Sequence, residues 1–187
     1  MEISLRRTLK LLASLLIAAP SIAFAQAGPT ASRLTDLQIG GGFTVANSDY
    51  TVNRIRGMAF YTTLDFTEHL GAELTFHQLN DGQPTQVYER SYEMGVRYVR
   101  HYGRFHPYVK AMYGRGVFNF PQNAGNLAYN MMVGGGGVDI NVHPRINVRA
   151  DFEYQDWLSG PGLSNGLTPT LFTIGAAYHF GAGVPRK

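Results

Sequence analysis

The stretch RINVRADFEYQ, residues 145–155, decides how the rest of this chain is read. Ile146, Val148, Ala150, Phe152 and Tyr154 are apolar or aromatic, whereas Asn147, Arg149, Asp151, Glu153 and Gln155 are polar. Successive side chains of a strand point to opposite faces, so this period of two lays one greasy and one charged face along about 30 Å of extended backbone. A helix would mix the two sets.

The same division recurs on both sides of that stretch. Upstream, from residue 34, Leu37, Ile39, Phe43 and Val45 alternate with Asp36, Gln38, Gly40, Gly42 and Thr44. Met58, Phe60, Leu64 and Phe66 then oppose Gly57, Tyr61, Thr63 and Asp65, and Ala72, Leu74 and Phe76 oppose Gly71, Glu73, Thr75 and His77. A fourth run sets Tyr92, Met94, Val96 and Tyr98 against Ser91, Glu93, Gly95 and Arg97. A fifth, after the turn at Gly103, sets Val109, Ala111 and Tyr113 against Tyr108, Lys110 and Met112. The sixth spans 130–142, where Val138, Ile140 and Val142 face away from Asp139 and Asn141, and Gly134 to Gly137 carry no side chains to read. The eighth holds Phe172, Ile174, Ala176, Tyr178 and Phe180 on one face.

Eight strands emerge, joined by alternately long and short connections. The long ones are 46–56, 79–89, 118–129 and 158–167. Strands of about 10 residues, tilted, match the height of an outer-membrane apolar band, and long loops on one side with tight turns on the other are that architecture's habit. The expectation is an all-β fold, an eight-stranded antiparallel up-and-down transmembrane β-barrel over residues 34–180.

Three features turn the greasy face outward. Glycines crowd the polar face, which suits a narrow lumen. The charges on that face are of both signs: Glu73, Glu93, Asp151 and Glu153 with Arg97, Lys110 and Arg149. Aromatics gather towards both ends of the apolar face, with Phe43, Phe60, Phe76, Tyr92, Tyr113, Tyr154 and Phe172 near the loops and Phe66, Tyr98, Tyr178 and Phe180 near the turns, as two girdles.

Composition agrees with an exported barrel. Residues 1–25 read as a secretory signal peptide: a basic start at Arg6, Arg7 and Lys10, an apolar run, and a small-residue cleavage site at Ala23 and Ala25. Residues 26–33 form a short polar linker and 181–187 a tail. The leader holds three of the 16 basic residues and one of the 13 acidic ones, so 13 face 12 in the remainder and no nucleic-acid partner is implied. The chain has no cysteine, which excludes a disulfide scaffold and a zinc–thiolate site. No apolar run long enough for a spanning helix follows the leader.

The last strand reads Thr173-Ile174-Gly175-Ala176-Ala177-Tyr178-His179-Phe180. Its Thr173, Gly175, Tyr178 and Phe180 resemble the carboxy-terminal assembly signal of bacterial outer-membrane barrels. With the leader and the eight strands, the chain resembles the small OmpA/OmpX-like and opacity-like barrels of the porin-like superfamily. That resemblance implies insertion by the barrel assembly machinery into the outer membrane of a Gram-negative-type envelope. Outer-membrane lipid and lipopolysaccharide are then its surroundings, and a monomer is expected.

The lumen charges Glu73, Glu93, Arg97, Lys110, Arg149, Asp151 and Glu153 are the first candidates for a site. Eight strands enclose an interior just wide enough for side chains, so a salt-bridge network is favoured over a selectivity lining. Five of the six histidines lie in or beside the short turns, and only His77 lies towards the loops. A metal site at the turn rim is conceivable, but no pair has the alternate spacing of strand-borne ligands, so neither metal nor cofactor is expected. Ser91, Ser159 and Ser164 have no evident base nearby in sequence, so catalysis is not expected either. Trp157, Leu158, Leu163 and Leu167 offer a sticky loop tip, or, for Trp157, a girdle anchor. The expected function is non-catalytic: surface interaction, adhesion or envelope integrity through four extracellular loops. A narrow solute or ion channel and a lipid-modifying enzyme are the alternatives.

Overall fold

The computed structural model describes residues 36–49, 54–81, 87–119, 125–158 and 166–180. The expected leader with Ala23 and Ala25, the linker, the tail, Ser159, Leu163 and Ser164 lie outside the described residues.

Eight strands follow one another: β1 (Asp36–Asn47), β2 (Ile55–Asp65), β3 (Leu70–Asn80), β4 (Tyr88–Val99), β5 (Phe105–Asn119), β6 (Asn126–His143), β7 (Ile146–Trp157) and β8 (Thr170–His179). Each pairs antiparallel with the next, and β8 pairs back with β1, closing a barrel. Closure leaves no unpaired strand edge, which is the condition for crossing hydrocarbon with strands. At the seam, Thr44 and Thr173 share a hydrogen bond of 2.7 Å, and the His179 ring meets the Asp36 carboxylate at 2.6 Å. The β4–β5 turn is a two-residue hairpin in which Tyr102 and Phe105 exchange backbone hydrogen bonds, and Gly103 supplies the left-handed φ of 61° that it needs.

Parity holds around the whole cylinder. Phe152 is 51% and Ile174 56% exposed on the outer wall, while Arg149 and Glu153 are each 1% exposed inside. The outer face carries both expected sets of aromatics. Phe60, Phe76 and Tyr92 align across β2, β3 and β4 towards the loops, and the Tyr178 and Phe180 rings lie 5.0 Å apart towards the turns. So continuous an apolar exterior marks a surface meant for a nonaqueous environment.

On the loop side two expectations need correction. Residues 118–129 are not all loop, because β5 continues to Asn119 and β6 starts at Asn126, with Phe118 opposite Leu127. The inward residues Phe118, Tyr129 and Met131 are buried, and that burial extends the hairpin. Nor does Trp157 form a loop tip or a girdle anchor. It is 1% exposed and packs inside the barrel with Val87, Met112, Phe118, Tyr129, Met131, Val133 and Leu167. Leu167 is also buried, bridged to Trp157 by backbone hydrogen bonds, so of the expected tip Leu158 alone is exposed among the described residues.

Candidate functional site

The inward side chains form three layers along the lumen. The layer nearest the turns is ionic. Arg97 on β4 bonds Asp65 at 3.2 Å and Asp139 at 3.0 Å. Arg149 on β7 meets Asp139 at 2.7 Å and Glu73, across the lumen on β3, at 2.8 Å. Lys110 on β5 gathers Glu73 at 3.0 Å, Asp151 at 2.8 Å and Glu153 at 2.6 Å. The Arg149 guanidinium lies 4.1 Å from the centre of the Tyr61 ring, and Tyr108, whose hydroxyl donates to Asp151, sits beneath both arginines.

Within this layer the partners come from β2, β3, β4, β5, β6 and β7, so the network ties strands that do not touch in the sheet. Ion pairs removed from water gain only when the remaining lone pairs and protons are also satisfied, and here Thr63 and Tyr108 supply that with hydroxyls to Glu73 and Asp151.

The middle layer is a second cluster, joined to the ionic one through Glu153. The His77 ring sits between two carboxylates, with Nδ1 3.2 Å from Glu93 Oε1 and Nε2 3.9 Å from Glu153 Oε2. Ser91 donates to Glu93 Oε1 at 2.6 Å and also lies 3.2 Å from His77 Nδ1. Gln155 donates to the same Glu93 oxygen at 2.8 Å and itself accepts the Trp157 indole N–H at 2.9 Å. The loop-side layer is mainly apolar, with the cluster around Trp157 and a second one of Ala46, Ile55, Leu79 and Leu171, and it also buries the hydrogen bond from Ser48 to Glu89.

Of the residues singled out in sequence, Glu73, Arg97, Lys110, Arg149, Asp151 and Glu153 come together in the ionic layer. Glu93 does not; its partners are His77, Ser91 and Gln155. Asp65 and Asp139 complete the network and were legible only as further polar-face positions at the same parity. The expectation that Ser91 lacks a base is corrected, since His77 on the neighbouring strand is within reach. Its hydroxyl is nevertheless spent on Glu93, and the residue is 3% exposed inside the lumen, away from any lipid ester. At the turn rim, His101 lies between His69 and His106, tilted to the first with centroids 6.3 Å apart and edge-on to the second at 4.5 Å. Among the described residues, the three-residue grouping with converging ligand atoms is instead His77, Glu93 and Glu153. Thr173 and Gly175 of the last strand face the lumen, and Tyr178 and Phe180 face outward at 38% and 58% exposure.

Solved structures share this architecture. Neisserial surface protein A is similar over 78% of this chain and 97% of its own, with a TM-score of 0.61 and 13% identity. OprG of Pseudomonas aeruginosa is similar over 80% and 97%, with a TM-score of 0.58 and 18% identity. Ail, the attachment invasion locus protein of Yersinia pestis, is similar over 78% and 97%, with a TM-score of 0.52 and 20% identity. Among curated proteins, none matches this chain. The family model described as outer membrane protein beta-barrel domain matches residues 11–180, nearly the whole chain. With a closed eight-stranded barrel, an apolar exterior and an ionised interior, this chain belongs to the outer membrane protein beta-barrel domain family and is a protein of the outer membrane.

Proposed function

We propose that the protein is a non-conducting, non-catalytic barrel that acts at the cell surface through its four long connections, in adhesion or in maintaining the envelope. The observation that carries this reading is the filled lumen. Arg97, Arg149, Glu73 and Glu153 are at most 2% exposed, and the Trp157 cluster caps them on the loop side. An ion or solute crossing would have to part a set of buried charges whose partners are already assigned. A filled interior leaves the outer wall and the loops as the surfaces available to partners, and loops on a rigid scaffold are where binding residues concentrate.

On this reading the barrel assembly machinery inserts the chain, aided by Thr173, Gly175, Tyr178 and Phe180, and the monomer rests among lipopolysaccharide and outer-membrane lipid. Ail, whose name records attachment and invasion, offers a precedent of the same fold. The test has two parts. In planar bilayers the purified barrel gives no discrete conductance steps. Cells displaying variants with each long connection replaced by a short Gly/Ser linker lose surface attachment while retaining a heat-modifiable barrel. Reproducible conductance steps would overturn the sealed-lumen reading, and attachment unaffected by every replacement would overturn the loop assignment.

A further inference from the structure

We propose that His77, Glu93 and Glu153 form a binding site for a divalent first-row cation inside the lumen. Three independent observations support it. First, one ligand atom from each residue converges within 4.8 Å, from β3, β4 and β7. An imidazole with two carboxylates is the mixed nitrogen–oxygen set that Zn²⁺, Co²⁺ or Mn²⁺ accepts.

Second, Glu93 Oε2 is buried and takes no hydrogen bond from any described residue, although Oε1 of the same carboxylate has partners in Ser91, Gln155 and His77. A buried carboxylate oxygen left in that condition is costly, and a cation is the partner that best removes the cost.

Third, the charges of the interior do not balance. Asp65, Glu73, Glu89, Glu93, Asp139, Asp151 and Glu153 are all buried, against the buried cations Arg97, Lys110 and Arg149. Lys110 is engaged at Glu153 Oε1, which leaves Oε2 turned towards His77. A divalent ion there offsets half of that excess negative charge, and the Ser91 hydroxyl, bonded to Glu93, holds that ligand in place, as outer-shell partners of metal sites do.

Because the site lies beneath the Trp157 cap, the test adds the metal during refolding. The full mature chain is refolded into detergent with Co²⁺ or Zn²⁺, dialysed against metal-free buffer, and its retained metal and visible absorption are measured. The expected result is stoichiometric retained metal and a Co²⁺ absorption band, both lost in His77→Gln and in Glu93→Gln and weakened about tenfold or more in Ser91→Ala. The rim variant His101→Gln/His106→Gln retains both signals. A heat-modifiable gel shift verifies that each variant is folded. If a lumen variant fails to fold, the Co²⁺ band of the His101→Gln/His106→Gln variant decides alone: its retention supports the lumen site and its loss overturns it. Wild-type barrel without retained metal, or metal that disappears with the rim histidines and persists in His77→Gln, overturns the proposal. Neither result bears on the loop assignment above, which rests on attachment.

Discussion

At the scale of the residue, the difference between Arg149 and its neighbour Val148 is the difference between the two solvents of this protein. Arg149 is 1% exposed and held by Glu73 and Asp139, whereas Val148 is 37% exposed on the outer wall. Arg149→Met removes one partner of a buried network and leaves Glu73 and Asp139 to share Arg97, so folding in detergent is expected to lose about 3 to 5 kcal/mol in urea titrations. Combining it with Glu73→Gln should cost less than the two single changes together, because the second substitution removes a charge the first has exposed. Val148→Arg acts from the other side: a guanidinium towards the bilayer midplane costs about 2 to 4 kcal/mol. It is expected to lower the folded fraction in lipid vesicles sharply, read as loss of the fast-migrating unheated band.

At the scale of the element, the β5–β6 hairpin and the end of β7 are where local reading and packing part company. The indole of Trp157 lies directly over Gly116 of β5, so closely that a Cβ on Gly116 would overlap the ring. Gly116→Val is therefore expected to expel the indole and destabilise the loop-side half of the barrel, seen as a lower melting temperature and a red-shifted fluorescence from the chain's single tryptophan. Trp157→Ala should cost about 3 to 5 kcal/mol through the cavity it leaves, and it also removes the N–H that orients Gln155. The hairpin reaches Asn119 and Asn126 for the same reason: Phe118, Tyr129 and Met131 have an apolar cap to join.

At the scale of the whole molecule, the barrel is a sheet turned so that its charge is enclosed and its grease is displayed. Such a molecule needs detergent or lipid, because water would meet Phe43, Phe60, Met94, Phe152 and Ile174, each about half exposed or more. The expected outcome is that the barrel stays folded only in detergent or bilayer, with distinct gel mobilities before and after heating. A protein that is monomeric and soluble without detergent would contradict the membrane reading.

What the sequence by itself determined was parity, strand number and sidedness. A period of two is a local property of the backbone, and residues such as Val148 and Arg149 declare their faces without reference to any partner. The aromatic girdles were legible for the same reason, since Tyr92 and Phe172 are placed by their positions along single strands. Only the tertiary structure decided which inward groups meet. Glu73 and Arg149 are 76 positions apart, and His77 finds Glu93 and Glu153 across neighbouring and opposite strands. Spacing along one strand carries no record of those encounters, because they depend on closure and register. Trp157 was misread by the same limit: its parity pointed inward, but only the closed barrel revealed the apolar cap that receives it.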